Sequence, residues 1–265
     1  MPPLTNAARL ALYDRELRMN PPLPDAGFRI ERPGVVVRLV GPSAAPHDNC
    51  IIFSKLDPTD ADAVIRREID YFAADGRAFE WKVHAHDSPA DLPERLRRHG
   101  FVPQGRETVV LRDLAEDPPR KTGASSIVIQ RMDDAAGLAD FVGVQNETSD
   151  EDHDWLGQAL SRELAADPRQ IEILVAYAED RPVATSYMRL HRGTSFGSLW
   201  GAVTLPALRR RGIYTALAEH HAATALGMGV RLLTADANEN SRPVLARLGF
   251  RPLVEVEGLV WSPPR

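Results

Sequence analysis

Short apolar blocks alternate along the chain with polar stretches that carry proline and glycine. Leu4, Ala8, Leu12 and Leu17 give a helix-like spacing over Met1–Asn20, and Pro21-Pro22-Leu23-Pro24 stops it. Ile51–Leu56 and Phe79–Val83 read as strands, as do Thr185–Leu190 and Ser198–Val203. Ile213–Leu226 reads as a helix and Val230–Ala235 as a further buried strand. Asp236–Ser241 is a polar loop with good N-cap residues. It leads into a short helix, Arg242–Leu248, with Gly249 as the residue after its end, and then into the strand Val254–Trp261. Asp117–Gly123 has linker composition and divides the chain.

The handover from strand 198–203 to helix 213–226 holds Arg209, Arg210, Arg211 and Gly212. A helix N-terminus already carries partial positive charge and unpaired N–H groups. Three further cations there cost stability unless an anion binds, and the simplest anion is a phosphate or pyrophosphate. The sequence has neither the G-x-x-x-x-G-K-[ST] loop nor a G-x-G-x-x-G turn after a strand.

The run from Val203 to Tyr214, with Arg209, Gly212 and Tyr214 at its signature places, resembles the acyl-CoA loop of the GNAT superfamily of N-acetyltransferases. Tyr214 departs from the usual Gly or Ala. A second element resembles the closing half of the same family: a strand, then Asn238 and Ser241 at the N-x-x-A/S positions, a helix, Leu248-Gly249-Phe250 and a strand. The resemblance covers Ile127–Trp261. It implies an α/β (α+β) fold, a mixed and largely antiparallel sheet flanked by helices. It also implies acetyl-CoA as co-substrate. By position, the pyrophosphate would meet Arg209, Arg210, Arg211, Gly212, Ile213, Tyr214 and Thr215. The pantetheine arm and thioester would meet Ala202, Val203 and Thr204, with Asn238 and Ser241 completing the cofactor set.

The N-terminal half echoes this motif. Asp87–Pro103 and Asp236–Pro252 share Asp, Leu, Arg, Gly, Phe and Pro at equal spacing, and both end L-x-R-x-G-F-x-P. After Pro58, however, Ala61 and Val64 stand at the arginine and glycine places, with Asp60 and Asp62 beside them. Carboxylates there cap a helix but repel a pyrophosphate. The chain is therefore expected as a tandem: a helix and linker over 1–24, a degenerate GNAT-like domain over 25–117 and an acyl-CoA-binding domain over 124–265. The first half has three open roles: a lid, a pseudo-domain that completes the fold, or a homodimer surface.

Charge and composition narrow the partners. The 265 residues carry a net charge of −5, which argues against nucleic acid. No apolar run approaches 18 residues, which argues against a membrane span, and the expected location is cytoplasmic. The single cysteine, Cys50, cannot form an intrachain disulfide and is not nominated as a nucleophile. No metal-ligand spacing is present.

Transfer from a thioester to an amine needs a donor for the thioester carbonyl and a base for the amine, while the leaving thiolate can take a proton. The family's usual tyrosine acid would fall at Leu245, so Tyr214 is the substitute acid and Tyr187 a second. Glu147-Thr-Ser-Asp-Glu-Asp-His-Asp154 is the richest acidic cluster, with Glu147 as candidate base and Trp155 beside it. Of His220 and His221, one is expected to pack and one to face solvent. Trp200 and Ser198 share a strand face and are candidates for shaping the acceptor groove. The expected activity is acetyl transfer to a primary amine of a small molecule or peptide. A non-catalytic acyl-CoA-binding module is the alternative.

Overall fold

A computed structural model describes residues 4–25, 27–122 and 127–264. The chain forms two compact units. The first comprises residues 1–110, 236–243 and 252–265, and the second residues 111–235 and 244–251.

In the first unit, helix α1 (Asn6–Tyr13) starts on Thr5, whose hydroxyl accepts from the N–H of Ala8. It continues as a π-helical turn over Asp14–Met19. Strands β1 (Arg29–Glu31), β2 (Val36–Val40) and β3 (Asn49–Ser54) precede helix α2 (Ala61–Ala73). Strand β4 (Phe79–His84), helix α3 (Leu92–Arg98) and strand β5 (Val102–Asp113) follow. The chain's last strand, β11 (Arg251–Trp261), pairs antiparallel with β4, Val256 opposite His84 and Trp261 opposite Phe79. The strand order is β1-β2-β3-β4-β11-β5. β3 and β4 are registered parallel, through Cys50–Glu80 and Ile51–Trp81. Phe72, Phe79, Trp81, Phe101, Leu259 and Trp261 fill the core against α2 and α3. Removing one such ring costs about 3–5 kcal/mol.

The N-terminal helix is part of this unit rather than a separate segment. Arg18, 2% exposed, bonds both carboxylate oxygens of Asp87 (2.8 and 2.7 Å), Asp14 (2.7 Å) and the carbonyl of Ile52 (3.2 Å). Cys50 is buried, and burial pushes its thiol well above the ordinary range.

In the second unit, strand β6 (Val128–Met132) is followed by helices α4 (Ala135–Glu147) and α5 (Asp154–Ala166). Strands β7 (Ile171–Ala178), β8 (Arg181–Leu190) and β9 (Phe196–Thr204) form an antiparallel meander. Helix α6 (Ile213–Gly227), strand β10 (Leu232–Ala237) and helix α7 (Arg242–Arg247) complete the path. The order is β10-β9-β8-β7-β6, with β10 parallel to β9 and the other pairs antiparallel. Ile213 and Leu217 of α6 pack on Leu174, Ala176 and Ala184, while Phe141, Leu156 and Leu160 of α4 and α5 pack with Ile173, Val175 and Tyr187. Each unit is thus a mixed, largely antiparallel sheet flanked by helices.

The division differs from the expected domains 1–24, 25–117 and 124–265. The segments 236–243 and 252–265 group with the first unit, because β11 finds its partner in β4. Gly123 and Ala124, at the expected boundary, lie outside the described residues. Among the described residues, no helix is long and apolar enough to cross a membrane, and no group of three His, Cys, Asp or Glu is arranged to hold a metal.

Candidate functional site

The basic loop sits where the sequence places it, between the end of β9 and α6. Pro206–Leu208 form a single 3₁₀ turn. Arg210 has φ +64° and Gly212 has φ +79°, so two left-handed residues turn the chain into the helix. Gly212 meets no atom within 4 Å of where a Cβ would sit, so its requirement is backbone conformation, not space. Among the described helices of eight residues or more, α6 alone has neither a side-chain cap nor a carboxylate in its first turn. The guanidinium of Arg209 donates from Nε to the carbonyl of Thr204 (3.0 Å), tying the loop to the strand end. Arg210 and Arg211 are exposed, with no carboxylate partner among the described residues. Ile213 is buried beneath the loop, and Thr215 and Tyr214 are half-buried. Burial raises the phenol of Tyr214 above its ordinary pKa.

The strand before the loop is irregular in a useful way. Thr185 lies opposite Val203 but Tyr187 lies opposite Trp200, so Gly201 and Ala202 together face Ser186 in a β-bulge. Gly201 has φ +58°, and a Cβ there would stand 2.7 Å from Tyr187 Cε1. The parallel ladder with β10 covers Phe196–Ser198 and Leu232–Thr234, whereas β9 runs on to Thr204. Ala202 is exposed, and Val203 and Thr204 are half-exposed.

Asn238 and Ser241 chiefly cap α7. The N–H groups of Asn240 and Ser241 donate to Asn238 Oδ1 (both 3.0 Å), and the N–H of Asn238 donates to Ser241 Oγ (3.1 Å). They lie in the segment 236–243 that groups with the first unit. Leu245 is 2% exposed and supplies no hydroxyl.

The acidic loop is an exposed connection between α4 and α5. Glu147, at the end of α4, pairs with Arg181 at 2.7 Å. His153 and Asp154 are used locally: Asn146 Oδ1 accepts from the N–H of His153 (2.8 Å), and Asp152 accepts from the N–H of Asp154 (2.8 Å). Trp155 is exposed. Tyr187, the second candidate acid, is buried at 6% exposure and meets Phe141 edge-on. Trp200 is half-buried, donates to Ser198 Oγ (2.6 Å) and lies under Arg189, which is held by Glu163 (2.7 and 2.6 Å).

Two buried polar networks flank β8, and neither was read from the sequence. On one side, Gln145 Nε2 donates to Gly201 O (2.7 Å) and lies 2.8 Å from Thr185 Oγ1, and that hydroxyl lies 3.3 Å from Gly201 O. On the other, Thr224 Oγ1 donates to Glu172 (2.7 Å), His221 Nδ1 lies 2.5 Å from Glu172, and His221 Nε2 lies 2.8 Å from Ser186 Oγ. Burial keeps the His221 imidazole below its ordinary pKa. Burial also pulls the Glu172 carboxyl upward, but the donors His221 and Thr224 outweigh it and hold it below the carboxylate range. His221 is buried and His220 exposed, as expected of the pair.

The comparisons agree with this geometry. A family model described as "Acetyltransferase (GNAT) family" matches residues 130–250. A solved structure described as a GCN5-related N-acetyltransferase from Kribbella flavida superposes with TM-score 0.71 at 15% identity, covering 98% of this chain and 95% of that one. A functionally unknown conserved protein from Staphylococcus epidermidis gives TM-score 0.71 at 12% identity, covering 97% and 100%. A tandem GNAT protein from the clavulanic acid biosynthesis pathway gives 0.64 at 10% identity, covering 91% and 85%. No curated protein sequence matches the chain. At these identities the structural likeness is one of fold. Residues 130–250 match the GNAT acetyltransferase family model, and the chain shares the fold of GNAT N-acetyltransferase structures.

Proposed function

We propose that the second unit binds acetyl-CoA and passes the acetyl group directly to a primary amine of a small molecule or peptide, in a ternary complex. The observation that carries the reading is the start of α6: a helix with no cap and no acid in its first turn, entered through left-handed Arg210 and Gly212, behind three consecutive arginines. The amides of Ile213, Tyr214 and Thr215 and the helix dipole suit a pyrophosphate. Arg210 and Arg211 add charge, while Arg209 holds the loop to Thr204. Ala202, Val203 and Thr204 offer strand backbone to the pantetheine arm beyond the β9–β10 ladder.

The amine nitrogen attacks the thioester carbonyl, the C–S bond breaks and CoA leaves as its thiol. Glu147 accepts the amine proton once an incoming ammonium displaces Arg181 from it. Tyr214, its phenol raised by burial, stays protonated and is the candidate acid for the thiolate. Asn238 and Ser241 hold the loop before α7 through their own hydrogen bonds.

The burial of Tyr187, and Leu245 at the tyrosine place, favour a second reading, a module that binds acyl-CoA without turning it over. Thiol release from acetyl-CoA across a panel of primary amines separates the two. Amine-dependent free thiol supports transfer, whereas tight binding with no thiol above background supports the module. Glu147→Gln tests the base: a rate unchanged across pH would remove Glu147 from the mechanism.

A further inference from the structure

We infer that Gln145, on α4, is a positioning residue that sets the peptide between Gly201 and Ala202 for the acyl group. The inference rests on the acyl-donor reading above. The Gly201 carbonyl is turned out of the β8–β9 ladder toward α4, where it accepts from Gln145 Nε2 at 2.7 Å and lies 3.3 Å from Thr185 Oγ1. A trans peptide is planar, with its C=O and N–H pointing in opposite directions. Fixing Gly201 O toward Gln145 therefore aims the Ala202 N–H away from α4. Ala202 is exposed while Gln145 and Thr185 are buried, so the polar clamp lies inside and the aimed donor outside.

Three features make this a built arrangement. Gly201 adopts φ +58°, which favours glycine, and Tyr187 occupies the place a Cβ would need. The bulge puts two residues opposite Ser186, freeing one peptide from ladder pairing. A buried carboxamide is costly unless satisfied, and Gln145 is satisfied by the bulge itself. A donor fixed before the acyl group arrives needs no reorganisation when charge develops on the thioester oxygen. Gln145 touches no reacting atom in this scheme; it acts through the peptide it holds.

The test compares Gln145→Met and Thr185→Val with wild type. Turnover is measured by thiol release, and binding of CoA, which lacks the acyl group, by calorimetry. The expected result is a loss of tenfold or more in kcat, with the CoA Kd within twofold of wild type, because the α6 loop is untouched. Thr185→Ser, which keeps the hydroxyl, restores most of what Thr185→Val loses. If Gln145→Met does not fold, the near-isosteric Thr185→Val carries the test alone. Unchanged kcat, or kcat and CoA affinity falling together in step with Tm, overturns the role of Gln145 and leaves the acyl-donor reading standing. A wild-type protein that binds CoA but releases no thiol with any amine overturns the transfer reading, and this inference with it.

Discussion

The starts of α2 and α6 follow the same path, a strand, a proline and a helix, and they answer the same electrostatic problem in opposite ways. At α2 the chain satisfies itself. Asp57 accepts from the N–H (2.9 Å) and hydroxyl (2.6 Å) of Thr59. Asp62, in the first turn, is held by Arg95 (2.6 Å) and His99 (2.9 Å), and those hydrogen bonds keep its carboxyl below the ordinary range. Ala61 and Val64, at the arginine and glycine places, are buried in the core. At α6 the equivalent places hold cations and a left-handed glycine. One helix start carries its own anions, and the other has neither a side-chain cap nor an acid in its first turn. The bodies of the two helices do not differ in this way: α2 buries Glu68 against Arg38 (2.8 Å) and α6 buries Glu219 against Arg112 (both bonds 3.1 Å). On the proposed reading, function separates from fold at the first turn.

Breaking the shared device gives the largest effect. Arg112→Ala leaves buried Glu219 without its ion-pair partner and is expected to cost about 3–5 kcal/mol in denaturant unfolding, and Arg38→Ala costs less, because Arg67 still pairs with Glu68 (2.9 Å). If both variants unfold like wild type, these pairs do not hold the helices. Gly212→Asp attacks the difference instead. It adds a carboxylate and forces a left-handed residue, and should weaken CoA binding by about a hundredfold, about 3 kcal/mol. Asp62→Asn in the first unit should leave CoA affinity unchanged.

Acid should destabilise both units. Burial drops His84 to about 2, and burial with Arg189 nearby drops His191 to about 4. Both folded values lie below the unfolded one, so stability is full above pH 6.5 and is lost as the unfolded chain takes up protons below it. For the 2%-exposed His84 the loss is about 1–2 kcal/mol by pH 5. A urea midpoint that is flat from pH 7.5 to 5 would contradict this. The smallest effects belong to Arg210→Ala and Arg211→Ala, expected at about 0.5–1 kcal/mol of CoA affinity each, fading in high salt. A salt-independent loss would mean they act by packing.

Local pattern made much of this legible. The strand into the loop, α6, β10, α7 and the final strand all stand within a few residues of their expected places, and the R-R-R-G run lies at the helix start. What the sequence hid depends on tertiary placement. The partner of β11 is β4, more than half the chain away, so unit membership could not follow from a linker at 117–123. The helix expected through Asn20 changes to a π turn after Tyr13, where Arg18 is drawn to Asp87. Gln145 looks like any polar residue near a helix end, and only the fold shows it reaching the bulge. Asn238 and Ser241 were expected as cofactor contacts, and the structure adds their capping of α7, a task the same residue types favour. The pairing of Glu147 with Arg181 also needed the structure, since the two lie on different elements.

The central claim is that the start of α6 is an acyl-CoA phosphate site and the start of α2 is not. Calorimetric titration of acetyl-CoA into wild type, Gly212→Asp and Val64→Asp tests it most directly. The account predicts one site per chain, weakened about a hundredfold by Gly212→Asp and retained at wild-type affinity in a folded Val64→Asp. No binding to wild type, or wild-type affinity in Gly212→Asp, would contradict it.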